Sequence, residues 1–190
     1  TFSICLSAPP PPPANDLCVD AIPLTCGVPV NGTTIASTSV GAPTGCTPTD
    51  VTSVGGVWYS LTGVCGPITA SICTSDYDSK IAVATGTCGA LTCLISDDDG
   101  CDAPNGAGST VTFNADPTTV YYIYVTGFGT GVGTFTLETS GCGAPPAATV
   151  SSVDDCNAGT YTAFVNVSST GGPATVDVTY TVNGGAPVVQ

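Results

Sequence analysis

Histidine, arginine and methionine are absent from this chain of 190 residues. Lys80 is its one basic residue, set against 14 acidic ones, so the formal net charge is −13. With Lys80 alone to meet phosphates, this charge argues against nucleic acid and anionic membrane surfaces as partners. Without His, the usual general base and the commonest metal ligand are missing. Ser and Thr are plentiful but have no His to activate them, which argues against acyl transfer. Charged residues make up only 8% of the chain, against roughly 25% in ordinary soluble domains. Strong helix formers are also scarce, with a single Glu at position 138 and a single Lys. Nothing in the sequence reads as a helix, and no apolar run suits a helical membrane span.

Cysteine, by contrast, is abundant: 11 residues. Zinc is an unlikely use for them, since the C-x₂-C pairs of zinc sites are missing along with His. The remaining reading is a disulfide framework formed in an oxidising compartment. Abundant Thr, Ser and Gly with almost no Lys fits a secreted, protease-resistant bacterial protein at the cell surface or beyond it.

Val, Thr, Ile and Tyr recur in short runs separated by Gly, Asp and Pro, the pattern of an all-β sandwich. The runs predict strands over 54–61, 68–73, 80–84, 91–95, 109–113, 120–125 and 134–138. These belong to a main domain over 14–141. A short linker, 142–146, carries Pro145 and Pro146. A second, incomplete Ig-like unit over 147–190 follows, with strands predicted at 148–153, 160–167 and 175–182.

Residues 1–7 stand apart. Thr1-Phe2-Ser3-Ile4-Cys5-Leu6-Ser7 alternates as a strand does, then meets the prolines at 9–13, so that 8–13 forms a polyproline linker. Five consecutive prolines favour a stiff polyproline II rod of about 3.1 Å per residue. The strand therefore has no local partner, and its N–H and C=O groups must pair elsewhere. It echoes Thr134-Phe135-Thr136-Leu137-Glu138-Thr139-Ser140.

Ala14-Asn15-Asp16-Leu17-Cys18 and Ala21-Ile22-Pro23-Leu24-Thr25-Cys26-Gly27 open the main domain. Val57-Trp58-Tyr59-Ser60-Leu61-Thr62-Gly63 follows, then Tyr77-Asp78-Ser79-Lys80-Ile81-Ala82-Val83 and Cys88-Gly89-Ala90-Leu91-Thr92-Cys93. Asp97-Asp98-Asp99, Tyr121-Tyr122-Ile123-Tyr124-Val125-Thr126-Gly127-Phe128 and Gly133-Thr134-Phe135-Thr136-Leu137 complete the series. In this order the stretch 14–140 resembles bacterial pre-peptidase C-terminal (PPC-type) domains. The resemblance implies a jelly-roll-like β-sandwich used as a non-catalytic accessory module on secreted proteins.

Three constellations carry chemistry. Asp97, Asp98, Asp99 and Asp102 form the densest acidic group, and Asp76 and Asp78 precede the 80–84 strand. Clustered carboxylates suit Ca²⁺, which takes about six to eight oxygen ligands. Their spacing is not that of an EF-hand, and solvated acidic turns are the competing reading. A glycosidase would need paired carboxylates about 5–9.5 Å apart across a cleft. With Trp58 expected in the core, no platform for a sugar is evident. Asn31 and Asn166 head glycosylation sequons.

Short loops suggest the disulfides Cys18–Cys26 and Cys88–Cys93, with Cys73–Cys101, Cys46–Cys65 and Cys142–Cys156 completing one connectivity among the many the count allows. That leaves Cys5 for a bond to a neighbouring subunit. These features together lead to an expected function. The chain is a structural subunit that polymerises with copies of itself by donating strand 1–7, with Phe2, Ile4 and Leu6 sharing its apolar face. A carbohydrate- or surface-binding accessory module is the rival expectation.

Overall fold

The residues that suit a pleated, half-buried surface form strands, as their β-branched and aromatic side chains favour. The structure is a computed structural model and describes residues 8–101, 107–143, 147–155, 160–169, 179–180 and 188–189. The proposed donor strand, 1–7, lies outside the described residues. The chain divides into two compact units, Thr1–Cys142 and Gly143–Gln190.

In the first unit a short 3-10 turn, Cys18–Asp20, is followed by nine strands. These are β1 (Ile22–Pro23), β2 (Val30–Thr33), β3 (Val57–Leu61), β4 (Gly66–Ser71), β5 (Ser79–Thr87), β6 (Ala90–Asp97), β7 (Thr110–Ala115), β8 (Tyr121–Gly127) and β9 (Thr134–Ser140). One sheet runs β1-β3-β8-β5-β6 and the other β2-β9-β4-β7. Apart from the two-residue parallel edge β1, every pairing is antiparallel. Two four-stranded sheets in the orders 3-8-5-6 and 2-9-4-7 make a jelly roll, the double Greek key that packs eight strands face to face. All seven strands expected in this unit are present, as β3 to β9.

β1 and β2 were not expected, for a physical reason. Proline and glycine weaken strand propensity, and these strands read Ile22-Pro23 and Val30-Asn31-Gly32-Thr33. Gly32 is required there because a Cβ would collide with the Tyr59 hydroxyl and the Phe135 ring.

Alternation along the central strands creates two apolar layers. Val57, Tyr59 and Leu61 of β3, Ile81 and Val83 of β5, and Tyr121, Ile123 and Val125 of β8 point between the sheets. There they meet Ile68, Ala70, Val111, Phe113, Phe135 and Leu137 of the facing sheet. The opposite face of the five-stranded sheet carries Trp58, Ala82 and Tyr124, packed with Cys18, Cys46 and Val51. Asn15 ties this layer to the sheet: its side chain donates to the Trp58 carbonyl at 2.9 Å, and the Trp58 N–H donates to the Asn15 carbonyl at 2.9 Å. Asp16 accepts from the Thr38 N–H and, at 2.7 Å, from its hydroxyl, so the segment before β3 is fastened down.

Four disulfides are described: Cys18–Cys88, Cys26–Cys142, Cys46–Cys93 and Cys73–Cys101. Of the expected pairs, only Cys73–Cys101 holds. The other pairings are corrected by the fold. Cys18 and Cys26 cannot meet, because the chain between them runs extended as β1 beside β3. Cys88 sits in the two-residue turn that joins Thr87 to Ala90, whereas Cys93 lies along β6 opposite Ala84. Each therefore reaches across the outer layer, Cys88 to Cys18 and Cys93 to Cys46. Cys46 is thus not available to Cys65. Cys142 closes onto Cys26 rather than Cys156, which lies outside the described residues.

In the second unit, β10 (Ala147–Asp155) and β11 (Thr160–Ser169) form an antiparallel ribbon, and β12 (Thr179–Tyr180) pairs with β13 (Val188–Val189). Among the described residues, neither β10 nor β11 has a second partner strand.

Candidate functional site

The β10–β11 ribbon is the first candidate. Its register pairs Ala148 with Val167 and Val150 with Val165. Residues directly opposite share a face, and so do residues two apart along a strand. Ala148, Val150, Val165 and Val167 therefore form one apolar face. That face is exposed: Val150 is 73% accessible, Val165 42% and Val167 36%. Phe164, 54% accessible, lies on the opposite face beside the sequon residue Asn166. A ribbon whose edges have no further partner among the described residues, and whose apolar face is exposed, is marginal alone and invites a further strand.

β9, the strand that 1–7 resembles, is already paired on both sides, with β2 and with β4.

The acidic residues form the second candidate, and they separate into different roles. Asp76 clamps β9 to the segment before β5. Its carboxylate accepts from the Thr134 N–H at 2.7 Å and the Thr134 hydroxyl at 2.8 Å. Those bonds hold its carboxyl below the usual carboxylate range. Asp97 caps a turn, accepting from the Gly100 and Thr110 N–H groups at 2.8 and 2.9 Å. Asp102 lies outside the described residues. Only Asp78, Asp98 and Asp99 converge, with carboxylate oxygens within 4.8 Å of one another.

Sequence reasoning did not anticipate that Lys80 meets this group. Its Nζ stands 3.4 Å from Asp98 Oδ2 and donates to the Asp50 carbonyl at 3.1 Å. It also lies 4.7 Å from the centre of the Phe128 ring, a cation–π contact. Burial pushes the Asp98 carboxyl up, with Lys80 opposing and Asp99 and Asp78 adding to the rise. The chain's own cation thus meets one carboxylate of this group, that of Asp98. A sequence signal did exist: one lysine on one arm of a hairpin, and a run of aspartates on the other.

Asn31 is exposed on β2, where its side-chain oxygen accepts from the Thr136 hydroxyl at 2.9 Å. Asn166 is exposed on β11. The aromatic residues that a sugar would stack on are mostly inside: Trp58, Tyr59, Tyr121 and Tyr124 are all buried, and Tyr122 is half-buried. Four disulfides fit an oxidising, extracellular compartment. Among the described residues, no helix is long and apolar enough to cross a membrane.

No protein-family model matches the chain, and neither a curated protein nor a solved structure matches it.

Proposed function

We propose that this chain is a structural subunit of a secreted bacterial filament or surface polymer. Subunits join head to tail when strand 1–7 of one copy completes the β10–β11 ribbon of the next. In this reading the first unit is a PPC-type jelly-roll module, and the second is an Ig-like unit that a neighbour's strand finishes.

The observation that carries the proposal is the exposed apolar face of the ribbon, with Val150, Val165 and Val167 on one side of edges that have no further partner strand among the described residues. An added strand supplies main-chain hydrogen bonds along the edge, and alternate side chains supply specificity. Phe2, Ile4 and Leu6 alternate as that role demands. A one-residue slip would turn them away from the valines, so the alternation sets the register. Because the donor and the acceptor surface are different parts of the chain, the contact is heterologous, and it builds a filament when the rotation from copy to copy does not close. Serving as a glycan-binding module is less well supported, since four of the rings that would stack on sugars are buried.

A synthetic peptide of residues 1–7 tests the interface. Added in excess to full-length protein, it should occupy the ribbon and shorten the polymers seen by light scattering. The same peptide carrying Ile4→Ser should have little effect. Equal outcomes for the two peptides would contradict a register-specific strand contact.

A further inference from the structure

Lys80 is the only lysine in the chain, and it is inside it. Its side chain is 8% accessible and its ion-pair partner, Asp98, 24% accessible. Lysine is almost never this buried without a dedicated partner. Burying an ion pair is a poor source of stability, because desolvation offsets the attraction. A role beyond charge pairing would account for the placement.

We propose that Lys80 and Asp98 condense into an intramolecular amide bond. The geometry is that of a nucleophile held against a carboxyl: Lys80 Nζ is 3.4 Å from Asp98 Oδ2. Asp98 Oδ1 is buried and accepts no hydrogen bond from the described residues, so that oxygen is not held by the ionised form's usual partners. The loop is fixed on both sides of Asp98. Its carbonyl accepts from the Ser109 hydroxyl, Asp97 caps the turn, and Cys101 is bonded to Cys73. Lys80 is fixed by the ladder to β8, opposite Thr126, one residue before β5 begins to pair with β6 at Ile81. Such positioning turns a slow bimolecular condensation into an intramolecular one.

The reaction balances with no added reagent. A proton passes from the Nζ ammonium to the Asp98 carboxylate, giving a neutral amine and a neutral acid. Burial, which favours the neutral carboxyl, helps this transfer. The Nζ lone pair then attacks Cγ of Asp98. The C–N bond forms, the C–O bond breaks, and the hydroxyl leaves as water with the amine's proton. Asp78 and Asp99, whose carboxylates lie within 4.8 Å of that of Asp98, can carry that proton. No oxidant, metal or activated acyl donor is required.

Intact mass of the reduced and alkylated full-length protein tests the proposal. The result expected is a protein lighter than its sequence by one water molecule. Chymotryptic mapping should then show one branched peptide joining Lys80 to Asp98. Lys80→Arg keeps the positive charge but cannot form the amide, and should restore the full mass. Two results would overturn the proposal. One is a wild-type mass equal to that of the sequence, with Lys80 open to acylation once the protein is unfolded. The other is a water loss that maps to Asp99-Gly100 and persists in Lys80→Arg, which would mark cyclisation of that Asp-Gly step instead.

Discussion

Asp76 and Asp98 carry carboxyls displaced in opposite directions, and the cause in each case is local. Asp76 is held low by the Thr134 N–H and hydroxyl. Asp50 and Asp116 are low for a similar reason, each accepting from the hydroxyl and N–H of the threonine two residues on, Thr52 and Thr118. Asp98 is raised by burial. The signs for stability follow by linkage. A carboxyl whose folded value is depressed stabilises the fold above its unfolded value of about 3.9. That stabilisation disappears as the pH falls through the folded value. The three depressed carboxyls predict a net loss of stability below about pH 4. Asp76→Asn should be less stable than wild type at pH 7, and the gap should narrow towards pH 2. Denaturant unfolding across this range measures it; a gap that stays constant would contradict the clamp.

At the scale of elements, the strands rich in Val, Thr, Ile and Tyr were legible, and the contacts between them were not. β3 to β9 stand out because each is a run of strand formers bounded by turn residues. The disulfide partners depend on which faces the strands present to one another, so loop length misled. The Lys80–Asp98 contact shows how fine this dependence is. The hairpin turn at Cys88-Gly89 can be read from the sequence. Counting back from Thr87 opposite Ala90 would place Lys80 opposite Asp97. A bulge between Val83 and Ala84 adds one residue to β6, and the register becomes Ile81 opposite Asp97. Continued by one step, it sets Lys80 beside Asp98, in line with the observed ion pair. A bulge of this kind leaves no signature in periodicity. The β10–β11 ribbon was legible as two strands, but its exposed valine face emerged only with the register of β10 against β11. A double variant, Val165→Ser with Val167→Ser, should therefore weaken assembly at least tenfold while leaving the melting transition of the first unit unmoved. Assembly at wild-type concentrations would count against this face.

At the scale of the whole molecule, the Cys26–Cys142 bond spans 116 residues and ends at the boundary between the two units. A pull applied through the chain passes from Cys26 to Cys142 across the sulfurs. The jelly-roll strands from β2 to β9 lie inside the covalent loop and carry none of that load. This suits a polymer subunit, whose contacts must survive tension. In single-molecule pulling of the oxidised protein, the first unit should release almost no hidden length. After reduction it should release roughly 400 Å, from 116 residues at about 3.5 Å each. Equal extension in both states would show that the disulfide does not carry the load.

Polymerisation by strand donation depends above all on residues 1–7. Electron microscopy of the full-length protein beside a variant lacking those residues tests it most directly. Full-length protein should form regular filaments. The shortened protein should remain as dispersed particles, with its first unit folded by circular dichroism. Filaments that persist without residues 1–7 would contradict the claim that strand donation builds the polymer.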